Sequence, residues 1–223
     1  MLSVRRHPSA VLLGAQLAAL LLYPFLEGGG LGRELFSVLG IVIVGLVVLA
    51  VRASPGLTWV GVLLGVPAMV LLLVQVVTTA DLLAYSSALE AVLYFYAAGA
   101  LVVYMLDDRE VTRDKLFAVG ATFTLIAWAF ADVYTVWQAI EPHSFIAADN
   151  PRGERSWMEL LLLSVSTLST VGLSDVVPVQ AFARALVMTE QLLGLSYVTA
   201  LVSRLVGLSL MSRRSGRIDA RAS

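Results

Sequence analysis

The chain has 223 residues and a net charge of −1, and 59% of its residues are hydrophobic while only 14% are charged. Soluble domains carry about 25% charged residues, so this composition, with a mean hydropathy of +0.87, predicts a membrane protein with several spanning segments. The absence of cysteine and the presence of only two histidines exclude a disulfide framework and a thiolate nucleophile and argue against a metal site or catalytic triad; we expect no enzyme chemistry, no cofactor and no nucleic-acid partner.

Six apolar runs are predicted to be transmembrane helices, which need roughly 17–25 apolar residues to cross the hydrocarbon core. They cover residues 11–26, 35–51, 57–77, 86–106, 115–140 and 181–210. The first run is borderline in length and follows Arg5, Arg6 and His7, so a cleaved signal peptide is the alternative for it. The glycines at 28–30 that follow this run favour instead the end of a helix and a tight loop.

A further apolar run, residues 157–168, is too short to span and lies between the last two predicted helices. Apolar segments of roughly 10–14 residues are more often re-entrant or interfacial than spanning. Irregular backbone at membrane depth occurs where it is buried in protein or lines a water-filled cavity. We therefore predict a re-entrant helix over residues 157–168, followed by a loop that turns at Gly172 and leaves the membrane past Asp175 and Pro178.

The distribution of lysine and arginine predicts the orientation in the membrane. With the amino terminus in the cytoplasm, most basic residues fall on the cytoplasmic side, as the positive-inside rule requires. They are Arg5, Arg6, Arg52, Arg109, Arg113, Lys115, Arg213, Arg214, Arg217 and Arg221. We predict a multi-pass protein of the cell inner (plasma) membrane with both termini cytoplasmic, membrane lipids as partners, and the re-entrant loop on the external side.

The stretch from Ser164 to Asp175 resembles the pore helix and selectivity filter of the tetrameric potassium-channel family. That filter usually reads Thr-Val-Gly-Tyr-Gly-Asp, and residues 170–175 read Thr-Val-Gly-Leu-Ser-Asp. The resemblance extends over about residues 156–207. It implies an all-α fold with six transmembrane helices, a re-entrant pore helix and a filter loop. It also implies a homotetramer in which Thr170, Val171, Gly172, Leu173 and Ser174 of each subunit conduct K⁺ and Na⁺.

Two departures from the family pattern change the expected selectivity. Leu173 replaces the tyrosine that anchors the outer filter, and Leu162 and Leu163 stand where its aromatic partners often lie. Ser174 replaces the second glycine, where a left-handed conformation would cost about 1–2 kcal/mol. We therefore expect a weakly selective or non-selective monovalent cation channel, with a potassium-selective channel as the alternative.

Other residues are candidates for support, gating or regulation. Asp175 is expected at the external mouth, where a ring of carboxylates concentrates cations and can hold Ca²⁺. Gly194 is either the gating hinge of the last helix or a close-packing residue. Carboxylates inside a membrane are functional candidates, and the expected filter supports are Ser166, Thr167, Glu190 and Asp132.

An acidic cluster lies just before the predicted fifth helix. Oxygen-rich clusters suit divalent cations, so a regulatory calcium site is one interpretation, and ion pairs with Arg109, Arg113 and Lys115 are the other. The acidic residues are Asp107, Asp108, Glu110 and Asp114.

The predicted organisation has four parts. Residues 1–106 form a peripheral four-helix domain, 107–114 a cytosolic linker, 115–211 the pore domain and 212–223 a basic tail. The fourth helix carries Glu90 and no arginine, so strong voltage gating is not expected. From other classes, a secondary transporter would need broken helices in both halves, and a non-conducting membrane scaffold is the remaining alternative.

Overall fold

The computed structural model describes residues 8–26, 40–47, 58–77, 82–106, 112–148, 150–151 and 153–222. Within these ranges the chain is almost entirely helical. Its helices are α1 (Pro8–Leu26), α2 (40–47), α3 (Thr58–Val77), α4 (Leu83–Leu106), α5 (Arg113–Ile140), α6 (Trp157–Leu168) and α7 (Ala181–Ala222). Two short strands flank α6 in the chain, β1 (Phe145–Ala147) and β2 (Val176–Pro178).

Most helix ends agree with the apolar pattern, but α1, α4 and α5 begin two or three residues before the predicted runs, and residues 40–47 of the predicted run 35–51 are described. The helix predicted over residues 157–168 is α6, and α3, α4 and α5 end at the predicted residues 77, 106 and 140. The last helix was predicted to end at residue 210, but α7 continues through the predicted tail to Ala222. At about 1.5 Å per residue, its 42 residues are about twice as long as a bilayer core is thick.

Two helices of the described part are long and apolar enough to cross a membrane. They are Leu83–Leu106 and Asp114–Ile140, which correspond to α4 and most of α5. Shorter apolar helices cover Pro8–Tyr23, Trp59–Val74 and Trp157–Leu168. The full count of six spanning helices and the division into domains remain predictions.

The α5 helix lies at the centre of the packing, in contact with α1, α4 and α6. Small residues let membrane helices approach closely, and α5 buries many of them completely. These are Ala118, Ala121, Ala127, Ala129 and Ala131. At Gly120, a β-carbon would lie 2.9 Å from the side chain of Leu13 in α1. The close atom is a terminal methyl group of Leu13, so a residue larger than glycine at position 120 would require the Leu13 side chain to move.

Contacts at both ends of α1 show that it runs in the same direction as α5. At the start of both helices, the Ser9 amide and hydroxyl donate to the carboxylate of Asp114 at 3.2 and 3.0 Å. Towards their ends, the ring of Tyr23 lies 6.2 Å from that of Trp157, and the Trp157 indole donates to Asp132 of α5.

The α7 helix runs in the opposite direction to α5. Near the start of α7, Glu190 accepts a hydrogen bond from Tyr134, which is late in α5. Further along α7, the Tyr197 hydroxyl donates to the Val119 carbonyl oxygen, early in α5, at 2.8 Å. The described start of α1 and the later part of α7 therefore lie on the same side of the helix assembly.

A pair of strands that the sequence pattern did not predict joins the two loops around α6. The strands β1 and β2 are antiparallel, with Phe145 opposite Pro178 and Ala147 opposite Val176. The Val179 amide extends this pairing by donating to the Ser144 carbonyl oxygen at 2.9 Å. The chain that leaves the loop after α6 is thereby tied to the chain that leaves α5.

Candidate functional site

The start of α6 is fixed by a capping box. The Ser156 hydroxyl accepts from the Glu159 amide at 3.3 Å, and the Ser156 amide donates to the Glu159 carboxylate at 2.6 Å. Such reciprocal bonds satisfy amides that have no partner within the helix. The guanidinium of the preceding residue, Arg155, is buried and forms an ion pair with Glu159 at 3.0 Å. The backbone of Arg155 exchanges two bonds with the Gln138 side chain, at 2.9 and 3.0 Å.

Asp132 also binds the start of α6 rather than the filter loop. The Trp157 indole nitrogen donates to Asp132 Oδ1 at 2.8 Å. The Trp157 ring packs edge-on against Trp128, with centroids 5.5 Å apart. Asp132 therefore couples α5 to the first residue of α6, so the structure separates it from the predicted supports nearer the loop.

The predicted filter loop, residues 170–175, is tied to the end of α6 through two carbonyl oxygens. The amides of Val171 and Gly172 both donate to the Ser166 carbonyl oxygen at 3.0 Å, and the Thr170 amide donates to that of Thr167, also at 3.0 Å. The Ser166 hydroxyl donates to the Leu163 carbonyl oxygen at 2.9 Å. Ser166 and Thr167 are buried. The loop therefore starts as a tight turn directly on the carboxyl end of the helix.

The sign of the backbone φ angle alternates along this loop. Thr170 has φ of 61° and Gly172 has φ of 70°. In the part of the chain that the structure describes, His143 is the other residue with a comparable positive φ outside glycine. A left-handed conformation is readily accessible to glycine but is uncommon for a β-branched residue. Thr170 is therefore a strained position, and such positions cluster at functional sites.

The outer part of the loop differs from the inner part. Ser174 is not among the residues with positive φ, and its hydroxyl accepts from the Val176 amide at 3.1 Å. Leu173 is 76% exposed and Val171 61% exposed on the single chain, and Asp175 is exposed beside them. The serine hydroxyl thus stabilises the exit from the loop into β2.

Leu162 and Leu163, at the positions where the family often has the aromatic partners of the filter tyrosine, lie in different surroundings. Leu163 is buried in the core, whereas Leu162 is 48% exposed on the single chain. Neither side chain has a hydrogen-bonding group, so neither can hold a residue at position 173 as paired aromatic partners would.

Glu190 lies at the crossing of α5, α6 and α7 and is fully buried. The Tyr134 hydroxyl donates to Glu190 Oε2, and the Ser164 hydroxyl oxygen contacts Glu190 Oε1. The Ser164 hydroxyl also lies 2.7 Å from the Ala127 carbonyl oxygen. Glu190 thus contacts a hydroxyl of α6, and its predicted role in supporting the filter stays a prediction.

Gly194 makes the closest backbone contact between α7 and α6. A β-carbon at this position would lie 2.2 Å from the carbonyl oxygen of Leu168, the last residue of α6, and 2.9 Å from its Cα and carbonyl carbon. Contacts below 3.0 Å do not occur for real β-carbons. The packing interpretation of this glycine therefore matches the geometry, and the hinge interpretation stays a prediction.

The predicted divalent site is only partly covered by the structure. Asp107, Asp108 and Glu110 lie outside the described residues. Asp114 is buried, and its carboxylate accepts from Ser9 and, at 3.2 Å, from the Tyr104 hydroxyl. Among the described residues there is no group of three or more metal-binding side chains. The calcium hypothesis therefore stays a prediction about the linker.

The sequence analysis missed the partners that hold these residues. Tyr134 and Ala127 complete the contacts of Glu190 and Ser164, and Gln138 and Arg155 fix the start of α6. One signal in the sequence was the i, i+3 pattern of Ser156 and Glu159, which is typical of a capping box. No local pattern pairs Tyr134 with Glu190, because they are 56 residues apart.

The comparison with family models gives one match. The family described as ion channel matches residues 91–208, which is more than half of the chain. The matched segment begins in α4 and includes α5, α6, the filter loop and α7 as far as residue 208. No curated protein and no solved structure matched the chain in the corresponding searches. With its apolar helices, the chain is a membrane protein that belongs to this pore-loop ion channel family, a family of channels and not of enzymes.

Proposed function

We propose that this chain is the subunit of a homotetrameric channel that passes monovalent cations with little discrimination between Na⁺ and K⁺. The observation that carries the proposal is the alternating backbone at Thr170 and Gly172, which stops before Ser174. Ion filters replace the water shell of a cation with backbone carbonyl oxygens. Successive carbonyl groups can point to one side of an extended segment only if the backbone alternates between right-handed and left-handed conformations. Glycine enters the left-handed conformation freely.

In this proposal the inner half of the filter retains backbone coordination. Thr170, Val171 and Gly172 provide the carbonyls, and the Thr170 hydroxyl adds a ligand at the inner entrance. The two amides that donate to the Ser166 carbonyl oxygen fix the turn that begins this half. Backbone strain at Thr170 is maintained by these bonds.

The outer half is wider and hydrated. Ser174 has no positive φ, so the second carbonyl of the family pattern has no equivalent orientation there. Leu173 has no hydroxyl, and Leu162 and Leu163 provide no acceptor for one. A site that keeps part of the ion's water discriminates less between ions of different size. Asp175 from each subunit would form the external carboxylate ring, which attracts cations, Ca²⁺ included.

A tetramer is supported by the surface that one chain leaves uncovered. A single chain supplies one filter loop, and a closed ring of identical subunits requires cyclic symmetry. Apolar side chains of α6, the loop and α7 are exposed on the single chain, among them Leu162, Val171, Leu173, Leu192 and Leu195. Irregular backbone at membrane depth occurs only where it is buried in protein or lines a water-filled cavity, so lipid does not explain the exposure of Val171 and Leu173 in the loop. We propose that neighbouring subunits cover these side chains.

The proposed topology has six spanning helices and both termini in the cytoplasm. The proposed location is the inner (plasma) membrane of the cell. The antiparallel course of α5 and α7 supports this topology, because it brings the start of α1 and the later part of α7 to one side. The peripheral domain (1–106), the linker (107–114), the pore domain (115–211) and the basic tail (212–223) form part of the same proposal. Arginines of the tail would contact anionic lipid headgroups.

A bi-ionic potential tests the proposal directly. With Na⁺ on one side of a planar bilayer and K⁺ on the other, the purified protein is expected to give a reversal potential close to zero. A large reversal potential, with the sign set by the K⁺ gradient, would favour the potassium-selective alternative. An absence of current above the leak of protein-free bilayers, at several protein densities, would favour a non-conducting scaffold.

Restoring the family residues is expected to raise selectivity. The double variant Leu173→Tyr, Ser174→Gly provides a glycine that can take positive φ and a side chain that can anchor the loop. We expect the preference for K⁺ over Na⁺ to rise by about fivefold, which corresponds to about 1 kcal/mol. The matched control is Leu173→Ile with Ser174→Ala, which changes the same positions without a glycine or a hydroxyl. An equal rise in the control would contradict this explanation.

A further inference from the structure

Glu190 takes part in a chain of hydrogen bonds whose protons can be counted. Its Oε2 atom accepts from the Tyr134 hydroxyl, and its Oε1 atom contacts the Ser164 hydroxyl oxygen. The Ser164 hydroxyl oxygen is also 2.7 Å from the carbonyl oxygen of Ala127 in α5. The chain Tyr134, Glu190, Ser164 and Ala127 therefore contains four groups and three hydrogen bonds.

The contacts of Ser164 require a proton on Glu190. A serine hydroxyl has one proton to donate and two lone pairs to accept with. The Ala127 carbonyl can only accept, so the single proton of Ser164 must serve that contact. The contact between Ser164 Oγ and Glu190 Oε1 then needs a second proton, and an ionised carboxylate has none. A protonated Glu190 supplies it, and every group in the chain is then satisfied.

In the part of the chain that the structure describes, no basic side chain forms an ion pair with Glu190, whose polar contacts are Tyr134 and Ser164. The ionisable side chains of the packed helices are bonded elsewhere: Asp132 of α5 to Trp157, and Glu159 of α6 to Arg155. On α7 itself, Arg184 donates to the Pro178 carbonyl oxygen at 3.2 Å. Tyr134 faces the carboxyl group and is a neutral donor. An ionised Glu190 would be a fully buried, uncompensated charge, which is strongly destabilising.

We propose that Glu190 is a neutral carboxylic acid whose proton links α7 to the pore helix α6 and, through Ser164, to α5. It is a positioning residue, since Ser164 lies two residues before Ser166, whose carbonyl oxygen accepts from the amides of Val171 and Gly172 in the filter loop. Removal of the proton at alkaline pH leaves one proton for the two contacts of Ser164, so its bond to either Glu190 or Ala127 is lost, and it places an uncompensated charge behind the filter. The effect on conduction rests on the proposed channel function, whereas the protonation does not.

Infrared spectroscopy of the reconstituted protein tests the protonation without any current. A protonated acid absorbs as a carboxylic C=O band, separate from the carboxylate bands. In the difference between wild type and Glu190→Gln at neutral pH, we expect loss of a carboxylic C=O band. The matched control Glu159→Gln, in an ion pair with Arg155, is expected to lose carboxylate absorption instead. Loss of carboxylate absorption alone in Glu190→Gln would overturn the proposal.

A second variant keeps the test decisive if Glu190→Gln does not assemble. In Ser164→Ala, Glu190 loses the acceptor of its proton, so its carboxylic C=O band is expected to shift to higher frequency. An unchanged band in an assembled Ser164→Ala protein would also overturn the assignment.

Flux measured as a function of pH tests the consequence. Glutamine retains a donor and an acceptor and cannot lose a proton, so the flux of Glu190→Gln, relative to its own value at neutral pH, is expected not to fall at alkaline pH. Wild-type flux is expected to be lost at alkaline pH, and that of Glu190→Gln to be maintained. An equal alkaline loss in both proteins would overturn the positioning role. If neither protein conducts at any pH, the channel function has failed, and the infrared result still decides the protonation.

Discussion

Replacing Gly194 with alanine is expected to prevent correct assembly of the protein. The new β-carbon would lie 2.2 Å from the Leu168 carbonyl oxygen and 2.9 Å from two further backbone atoms of Leu168. Backbone cannot move aside as a flexible side chain can, so α7 must separate from the end of α6. Overpacking costs about 1–3 kcal/mol and sometimes more, and this contact belongs at the upper end. Thermal unfolding and size-exclusion chromatography in detergent measure the effect.

Gly99 provides the matched control for this prediction. It also lies in a predicted transmembrane helix, α4, but a β-carbon there would meet no atom within 4 Å. Alanine favours a helix over glycine by about 1 kcal/mol, so Gly99→Ala is expected to be neutral or slightly stabilising. A Gly194→Ala protein with the elution profile and thermal stability of the wild type would show that α6 and α7 can separate without cost.

The same variant separates the two interpretations of Gly194. If the glycine serves only as a hinge, alanine leaves an assembled protein whose opening is altered. If it serves close packing, alanine removes the assembled protein itself. The contacts with Leu168 predict the second result. The contact of Gly194 with Leu168 adjoins that of Glu190 with Ser164. Glu190 and Gly194 are one helical turn apart on α7, and so are Ser164 and Leu168 on α6.

The sequence was most informative where local chemistry determines the structure. The bounds of α6 could be predicted because a short apolar run begins at Trp157 and ends in small polar residues, and the capping box of Ser156 and Glu159 fixes the same start in the structure. The positive φ of Gly172 could likewise be predicted from the need for a turn. These features depend on neighbours a few residues apart in the chain, which a single sequence displays directly.

Tertiary contacts determined the features that the sequence did not reveal. Strands of three residues, such as β1 and β2, have too little pattern to be recognised, and their pairing joins segments about thirty residues apart. The positive φ of Thr170 runs against the preference of a β-branched residue. It arises because the next two amides both bind the Ser166 carbonyl oxygen. The bond between Tyr134 and Glu190 could not be predicted from the sequence, because it forms only where α5 and α7 cross.

Replacing Gly172 with alanine is expected to abolish conduction while leaving the protein assembled. A β-carbon at Gly172 would meet no atom within 4 Å, so the cost is conformational and comes from a φ of 70°. For an L-residue the left-handed conformation costs about 1–2 kcal/mol, or about 4–8 kcal/mol over the four subunits of the proposed tetramer. The loop relieves this strain by taking negative φ, which turns a carbonyl away from the pore. Flux from proteoliposomes measures the loss, and the elution profile is expected to stay that of the wild type.

Ser174 is the control within the same loop. Ser174→Ala removes the acceptor of the Val176 amide, a bond worth about 1 kcal/mol, at a position without positive φ. This variant is expected to keep most of its flux. If Gly172→Ala conducts like the wild type, the alternating backbone is not required for conduction, and the inner half of the filter must coordinate cations by other groups. Together with Gly194→Ala, the pair distinguishes a glycine needed for backbone conformation from one needed for close packing.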